Sequence, residues 1–319
     1  MKLKISSYAI LVFIGLSLFS ILATSLNTPL DKLSKIETFK DFQPLKVADP
    51  LETLNPAPSP IKTQKVSKIV QLEASNTVEL MGPITNETIG RVMQRLLQVS
   101  RVLPAKTPIY LVINSPGGSV FDGLDLIDLA DALPQRIETI TLFAASIAFQ
   151  TVQALGNRMI LRQGTLMSHR GKGSVSGQFS GELETRYRMV KRKLDYLDTM
   201  ASKRMGLSIE EYSRLVKDEY WVHGFDAVAE HAADEEILAR CGDSLTGTRI
   251  ESLNTIFGEV RIEFSKCPLI KTPLEIKLDK IAPQNLAFVK AALDSLYYHP
   301  RKYVENFILT GKHDELFRK

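Results

Sequence analysis

Three short stretches of this chain carry residue types that can do chemistry. The first is Asn114-Ser115-Pro116-Gly117-Gly118, which follows an apolar burst. Two glycines let a backbone approach a ligand closely and turn N–H groups toward it. No lysine follows at phosphate-loop spacing, so the turn does not read as a nucleotide cradle. The second is Ser146, between an apolar segment and a run of small residues. A serine at a helix start can attack a carbonyl while unpaired helix N–H groups hold the developing oxyanion. It can equally be an N-cap. The third is His169, between a short apolar segment and a glycine-rich one. Histidine is the natural base for a serine near neutral pH. Taken singly, each stretch also has a plain reading: a tight turn, a helix cap, a strand-end histidine. Metal chemistry is not indicated. No His-x-x-x-His or Cys-x-x-Cys pair occurs, and Gly224 interrupts the interval between His223 and His231. No cofactor is expected.

The elements that must position these residues follow from periodicity. Residues 69–72 and 78–81 are short, largely apolar and turn-bounded, and read as strands. Thr85-Asn86-Glu87 starts a helix, with Ile89, Val92, Met93, Leu96 and Leu97 at helical spacing. The run 109–113 has the branching of a buried parallel strand. A helix over about 120–132, a strand over 137–143 and a helix from Ala144-Ala145-Ser146 to about 155 come next. Residues 158–161 and 165–168 read as two more strands, and 171–181 as a glycine- and serine-rich loop. A long helix is predicted over 182–205, with Tyr187, Val190, Leu194, Leu197 and Met200 on its inner stripe. Ser208 and Glu211 form a capping box for a shorter helix, and 226–232 is helical. Beyond residue 250 only a strand over 260–264 and a helix over 285–296 stand out. Strand and helix alternate through the middle of the chain, so the fold class is α/β with parallel strands. Such sheets place sites at the carboxyl ends of their strands, where the Gly-Gly turn falls.

The chain has 319 residues, 44% hydrophobic and 24% charged, enough to bury a sizeable core and too ordered in composition for disorder throughout. Its 40 Lys+Arg against 36 Asp+Glu form no dense basic block, so nucleic acid is not implied. Cys241 and Cys267 cannot make a disulfide scaffold or a cysteine zinc site, but leave room for one bridge. Lys2 and Lys4 precede an apolar run over residues 8–23. This fits a cleavable signal peptide or a single uncleaved membrane anchor within 1–25. Either form predicts an exported domain, on the periplasmic or extracellular face. Residues 26–64 are proline-rich and read as a tether. The main domain is expected over 65–240, with a C-terminal extension over 241–319.

The whole order resembles the Clp protease proteolytic subunit family; signal peptide peptidases and crotonase-like proteins share parts of it. Leu80-Met81-Gly82-Pro83-Ile84, the segment from Ile109 to Val120, Ala144-Ala145-Ser146, Leu166-Met167-Ser168-His169 and Asp226-Ala227-Val228 carry the resemblance, over about residues 66–236. It implies a Clp protease/crotonase-like α/β fold with repeated β-β-α units. It also implies a serine peptidase acting on peptides or proteins through an acyl-enzyme, with Ser146 as nucleophile and His169 as general base. Gly118 and Ile147 would supply the oxyanion N–H groups. The third triad member is an aspartate in the family. Here an ungapped match selects Glu219 and one inserted residue selects Asp218, which is favoured because aspartate is usual. The chain departs from the family in having Leu142-Phe143 before Ala-Ala-Ser and Arg170-Gly171 after His169. These departures support an alternative, a non-catalytic scaffold on the same fold. A homo-oligomer is expected. An exported chain would meet no ATP, so no ATP-driven unfoldase is expected as partner and the peptidase is expected to be ATP-independent.

Overall fold

The computed structural model describes residues 68–270 and 272–296. The expected membrane segment, with its apolar run 8–23, and the tether over 26–64 lie outside those residues. Among the described residues no helix is long and apolar enough to cross a membrane.

Strands β1 (Lys68–Leu72) and β2 (Thr77–Met81) precede helix α1 (Asn86–Val102). Thr85 caps α1, its side chain accepting from Thr88 N–H. Then come β3 (Ile109–Ser115), α2 (Val120–Ala132), β4 (Ile137–Ala145), α3 (Ile147–Ala154) and β5 (Arg158–Ser168). The long α4 (Glu182–Met205) and short α5 (Ile209–Leu215) lead to β6 (Tyr220–His223), α6 (Gly224–Ala229) and β7 (Glu235–Cys241). The sheet runs β1-β7-β5-β4-β3-β2, with β6 pairing β5. Every pair is parallel except β5–β6. One face carries the larger core, from Leu80, Leu111 and Ile113 to Phe149, Leu197 and Tyr212. The other carries Val70, Leu72, Val112, Ile140, Leu142 and Ile237. Burial on both faces explains why these strands read as continuous apolar runs.

The fold is the expected α/β arrangement, but only β1-β2-α1 forms a β-β-α unit; afterwards single strands alternate with helices. Ala144 and Ala145 belong to β4 and not to the helix, because the strand must reach that far to pair with Leu166 and Met167. The two strands expected over 158–168 are one. Register slips between Thr141 and Phe143, and Gly164 occupies the irregularity, where a Cβ would lie 2.5 Å from Thr141 O. The helix expected over 226–232 is α6, closing earlier. Tyr187 does not belong to an inner stripe: it is 58% exposed, and only from Leu197 onward does α4 meet the core. The capping box at Ser208 is present in both directions.

The C-terminal region is a second sheet, unexpected apart from its middle strand: β8 (Thr248–Thr255), β9 (Gly258–Ser265) and β10 (Glu275–Lys277), antiparallel, followed by α7 (Leu286–Leu296). Val260, Ile262, Ile281, Val289 and Leu293 form its own core. It docks on the main sheet through Leu269 and the preceding Leu245. The Cys241–Cys267 disulfide joins the end of β7 to the loop after β9, with Cα atoms 5.8 Å apart.

Candidate active site

The three chemistry-bearing stretches converge because β3, β4 and β5 are parallel neighbours with their carboxyl ends level. Ser115 pairs Ala144, and Ala145 pairs Met167. The Gly-Gly turn, Ser146 and His169 therefore leave adjacent strands at one edge of the sheet.

Ser146 sits in a sharp strand-to-helix turn at φ 58° and ψ −125°. That is a left-handed conformation that a non-glycine residue seldom adopts, and strain of this kind costs about 1–3 kcal/mol. Its N–H is fixed to Met167 O at 3.0 Å. Its side chain makes no capping bond to α3. Of the two sequence readings the cap is therefore not the one realised. Ile147 opens α3, so its N–H has no partner within the helix.

The Pro116-Gly117-Gly118 turn lies directly against this elbow. A Cβ on Gly117, at φ +88°, would stand 2.5 Å from Ala145 O and 2.8 Å from Ser146 Cβ. A Cβ on Gly118, at φ +149°, would stand 2.3 Å from Ile84 O. Only glycine allows both the conformation and the approach. The turn is clamped by Ile84, whose N–H donates to Gly117 O at 2.8 Å and whose carbonyl accepts from Ser119 N–H at 2.9 Å. This bridge leaves Gly118 N–H outside it. The role of Ile84 was not apparent from sequence; the Gly82-Pro83 turn before it was the available signal.

His169 is half-buried at the end of β5. The acid is where sequence reasoning was weakest. Asp218 and Glu219 lead into β6, a strand the periodicity did not reveal. β6 runs antiparallel to β5 with Ser168 opposite Tyr220 and Met167 opposite Trp221. The pairing ends there: Glu219 is the residue before Tyr220 and His169 the residue after Ser168, so both flank the last pair, with Asp218 one residue further away along the chain. Glu219 has a side chain only 13% exposed, an N–H···O bond from Trp221 Nε1 at 3.1 Å and Lys172 Nζ at 4.0 Å. Its backbone φ is +74°. Asp218 is exposed. A cavity of about 610 Å³ lies between β2, α1 and the C-terminal sheet; Asn114 reaches its lining, but Ser146, His169, Asp218 and Glu219 do not. No metal-ligating cluster occurs among the described residues.

Comparison with known proteins places the chain in a family. The family model for Clp protease matches residues 61–237, more than half of the chain. The chain is 31% identical over 148 residues to the "ATP-dependent Clp protease proteolytic subunit 1" of Prochlorococcus marinus (strain MIT 9312), covering 46% of this chain and 75% of that protein. It is 29% identical over 160 residues to the protein of the same name in Synechococcus sp. (strain CC9902), covering 49% and 80%. Two expectations are overturned here. Both relatives are subunits of ATP-dependent proteases, which contradicts a peptidase with no ATP-driven partner. Export was the only ground for that expectation, and the ATP dependence of these relatives overturns the exported, periplasmic assignment with it.

Proposed function

This chain belongs to the Clp protease family, and from that premise we propose that it is a serine peptidase in which Ser146 attacks the peptide carbonyl. His169 takes the hydroxyl proton as the Ser146 Oγ–carbon bond forms. The oxyanion is held by Gly118 and Ile147 N–H. His169 then returns the proton to the leaving amine, the C–N bond breaks, and an acyl-enzyme remains. Water, activated by the same imidazole, releases the acid and restores the serine. Glu219, in preference to Asp218, orients the imidazole. Its place beside the last β5–β6 pair, which Ser168 forms just before His169, and its burial support that choice. The chain has no phosphate-binding loop, so the ATP dependence of its relatives points to a partner that hydrolyses ATP and delivers unfolded substrate.

The observation that carries this reading is the uncapped, left-handed Ser146 pressed against the Gly117-Gly118 turn. A cap or a scaffold serine gains nothing from such strain. The test is covalent modification of the full chain by a fluorophosphonate, read by intact mass. Wild type and Asp218→Asn should label; Ser146→Ala and His169→Ala should not. Glu219→Gln should slow labelling by about 10²-fold or more. A folded wild type that stays unlabelled favours the scaffold.

A further inference from the structure

Behind the site, three buried polar side chains take no part in the steps above. Gln150 stands one turn into α3, where its N–H bonds Ser146 O at 3.2 Å. Ser168 immediately precedes His169. Tyr212 lies in α5, the helix that leads toward Glu219. They are 6%, 1% and 0% exposed. Gln150 Nε2 donates to the Tyr212 phenol oxygen at 2.9 Å, and Tyr212 Oη lies 2.9 Å from Ser168 Oγ.

One of these two bonds has a direction fixed by chemistry. An amide nitrogen only donates, so Gln150 Nε2 donates into one of the two lone pairs of the phenol oxygen. Between Tyr212 Oη and Ser168 Oγ either hydroxyl can donate. Burial pushes the Tyr212 phenol up to about 12, so it keeps its proton at neutral pH. Packing alone would not set such geometry, because hydrophobic contact is non-directional. A phenylalanine would fill the same space.

We propose that Tyr212 is a positioning residue that locks the helix start carrying Ser146 to the strand end carrying His169, through hydrogen bonds to Gln150 and Ser168. The inference rests on the reading of Ser146 and His169 as nucleophile and base. It adds that one phenol, beside the β4–β5 pairing, fixes their alignment where core packing would not.

The experiment measures the rate constant for fluorophosphonate modification of Ser146 in the full chain, beside the thermal midpoint. Tyr212→Phe strands two buried polar groups, so the midpoint should fall, and the labelling rate should fall by about 10- to 100-fold through misalignment. The triple variant Gln150→Met/Ser168→Ala/Tyr212→Phe removes every member of the network. Replacing all partners by apolar groups is nearly neutral for stability. Its midpoint should therefore recover while its labelling rate stays low. A merely structural tyrosine gives the opposite pattern, the rate returning with the midpoint, and that overturns the proposal. So does a folded Tyr212→Phe that labels within about threefold of wild type. If Tyr212→Phe does not fold, the triple variant decides by the same criterion. A wild type that does not label, or a Ser146→Ala variant that labels equally, overturns the underlying assignment and this proposal with it.

Discussion

Gly117→Ala tests whether the Gly-Gly turn and the Ser146 elbow form one rigid unit. Two costs follow from the structure. The backbone at φ +88° puts an L-residue in left-handed territory, which costs roughly 1–2 kcal/mol. The new Cβ would also stand 2.5 Å from Ala145 O and 3.1 Å from Ile147 N. Those atoms are backbone at a strand end and a helix start, so no side chain can swing aside. Restoring ordinary contact moves the turn or the elbow by roughly 1 Å. A displacement of that size at a reacting centre can cost about 10²-fold in rate. Gly82→Ala supplies the control, since Gly82 has φ +79° but no atom within 4 Å of its Cβ position. Both variants should lose about 1–2 kcal/mol in denaturant titrations from backbone strain. Only Gly117→Ala should also slow fluorophosphonate labelling of Ser146, by about 100-fold. If folded Gly117→Ala labels at the rate of Gly82→Ala, the turn does not shape the site.

Further tests bear on stability and pH. Arg158, 4% exposed, donates from Nη2 to Asp234 Oδ1 at 2.5 Å and from its backbone N–H to Oδ2 at 2.8 Å. Asp234→Asn leaves that guanidinium buried without its anion and should cost on the order of 3 kcal/mol by denaturant midpoint. Burial raises the Asp234 carboxyl but the bonds from Arg158 outweigh it, holding the pKa below the ordinary value. The wild-type advantage is therefore present above the ordinary carboxylate range and lost as pH falls through the folded pKa. Asp198 behaves in the opposite sense. Burial, then Asp195, pushes it from 3.8 to about 6, against Arg170 and Lys191. Its protonated form favours the fold below the ordinary value, and that advantage is lost as pH rises through about 6. The interval is worth about 3 kcal/mol unscreened and about 1 after solvent screening. Asp198→Asn should thus raise the midpoint at pH 8 by about 1 kcal/mol and leave it unchanged at pH 4; an equal gain at both would refute the burial argument. Reduction of Cys241–Cys267, which closes a separation of 26 residues, should destabilise the C-terminal sheet by about 3 kcal/mol, with a mass gain of two hydrogens marking the opened bridge.

What the sequence determined by itself was local. Apolar runs bounded by turns identify β3 and β4, and Ser115-Pro116-Gly117-Gly118, Ser146 and His169 each follow such a run within one or two residues. Their order along the chain is enough to assign them to neighbouring strand ends, because parallel strands joined by helices bring those ends to one side. The capping box at Ser208 and the start of α1 are local in the same sense. Tertiary structure alone decided the rest. Whether Ser146 caps a helix or stands free depends on its backbone angle, which the packing of Gly117 against Ala145 and the bond from Ser146 N–H to Met167 O impose. Asp218 and Glu219 are adjacent in sequence, and only the docking of β6 on β5, which pairs Tyr220 with Ser168, leaves Glu219 largely covered and Asp218 exposed. That strand is four residues long, and it had no periodic signal to announce it. Tyr212, Gln150 and Ser168 are scattered over 62 residues, and each looks like an ordinary core or surface residue where it stands. The phenol that joins them exists as a link only once α5 is folded onto the ends of α3 and β5, because a hydrogen bond is a property of two positions and a sequence lists them one at a time.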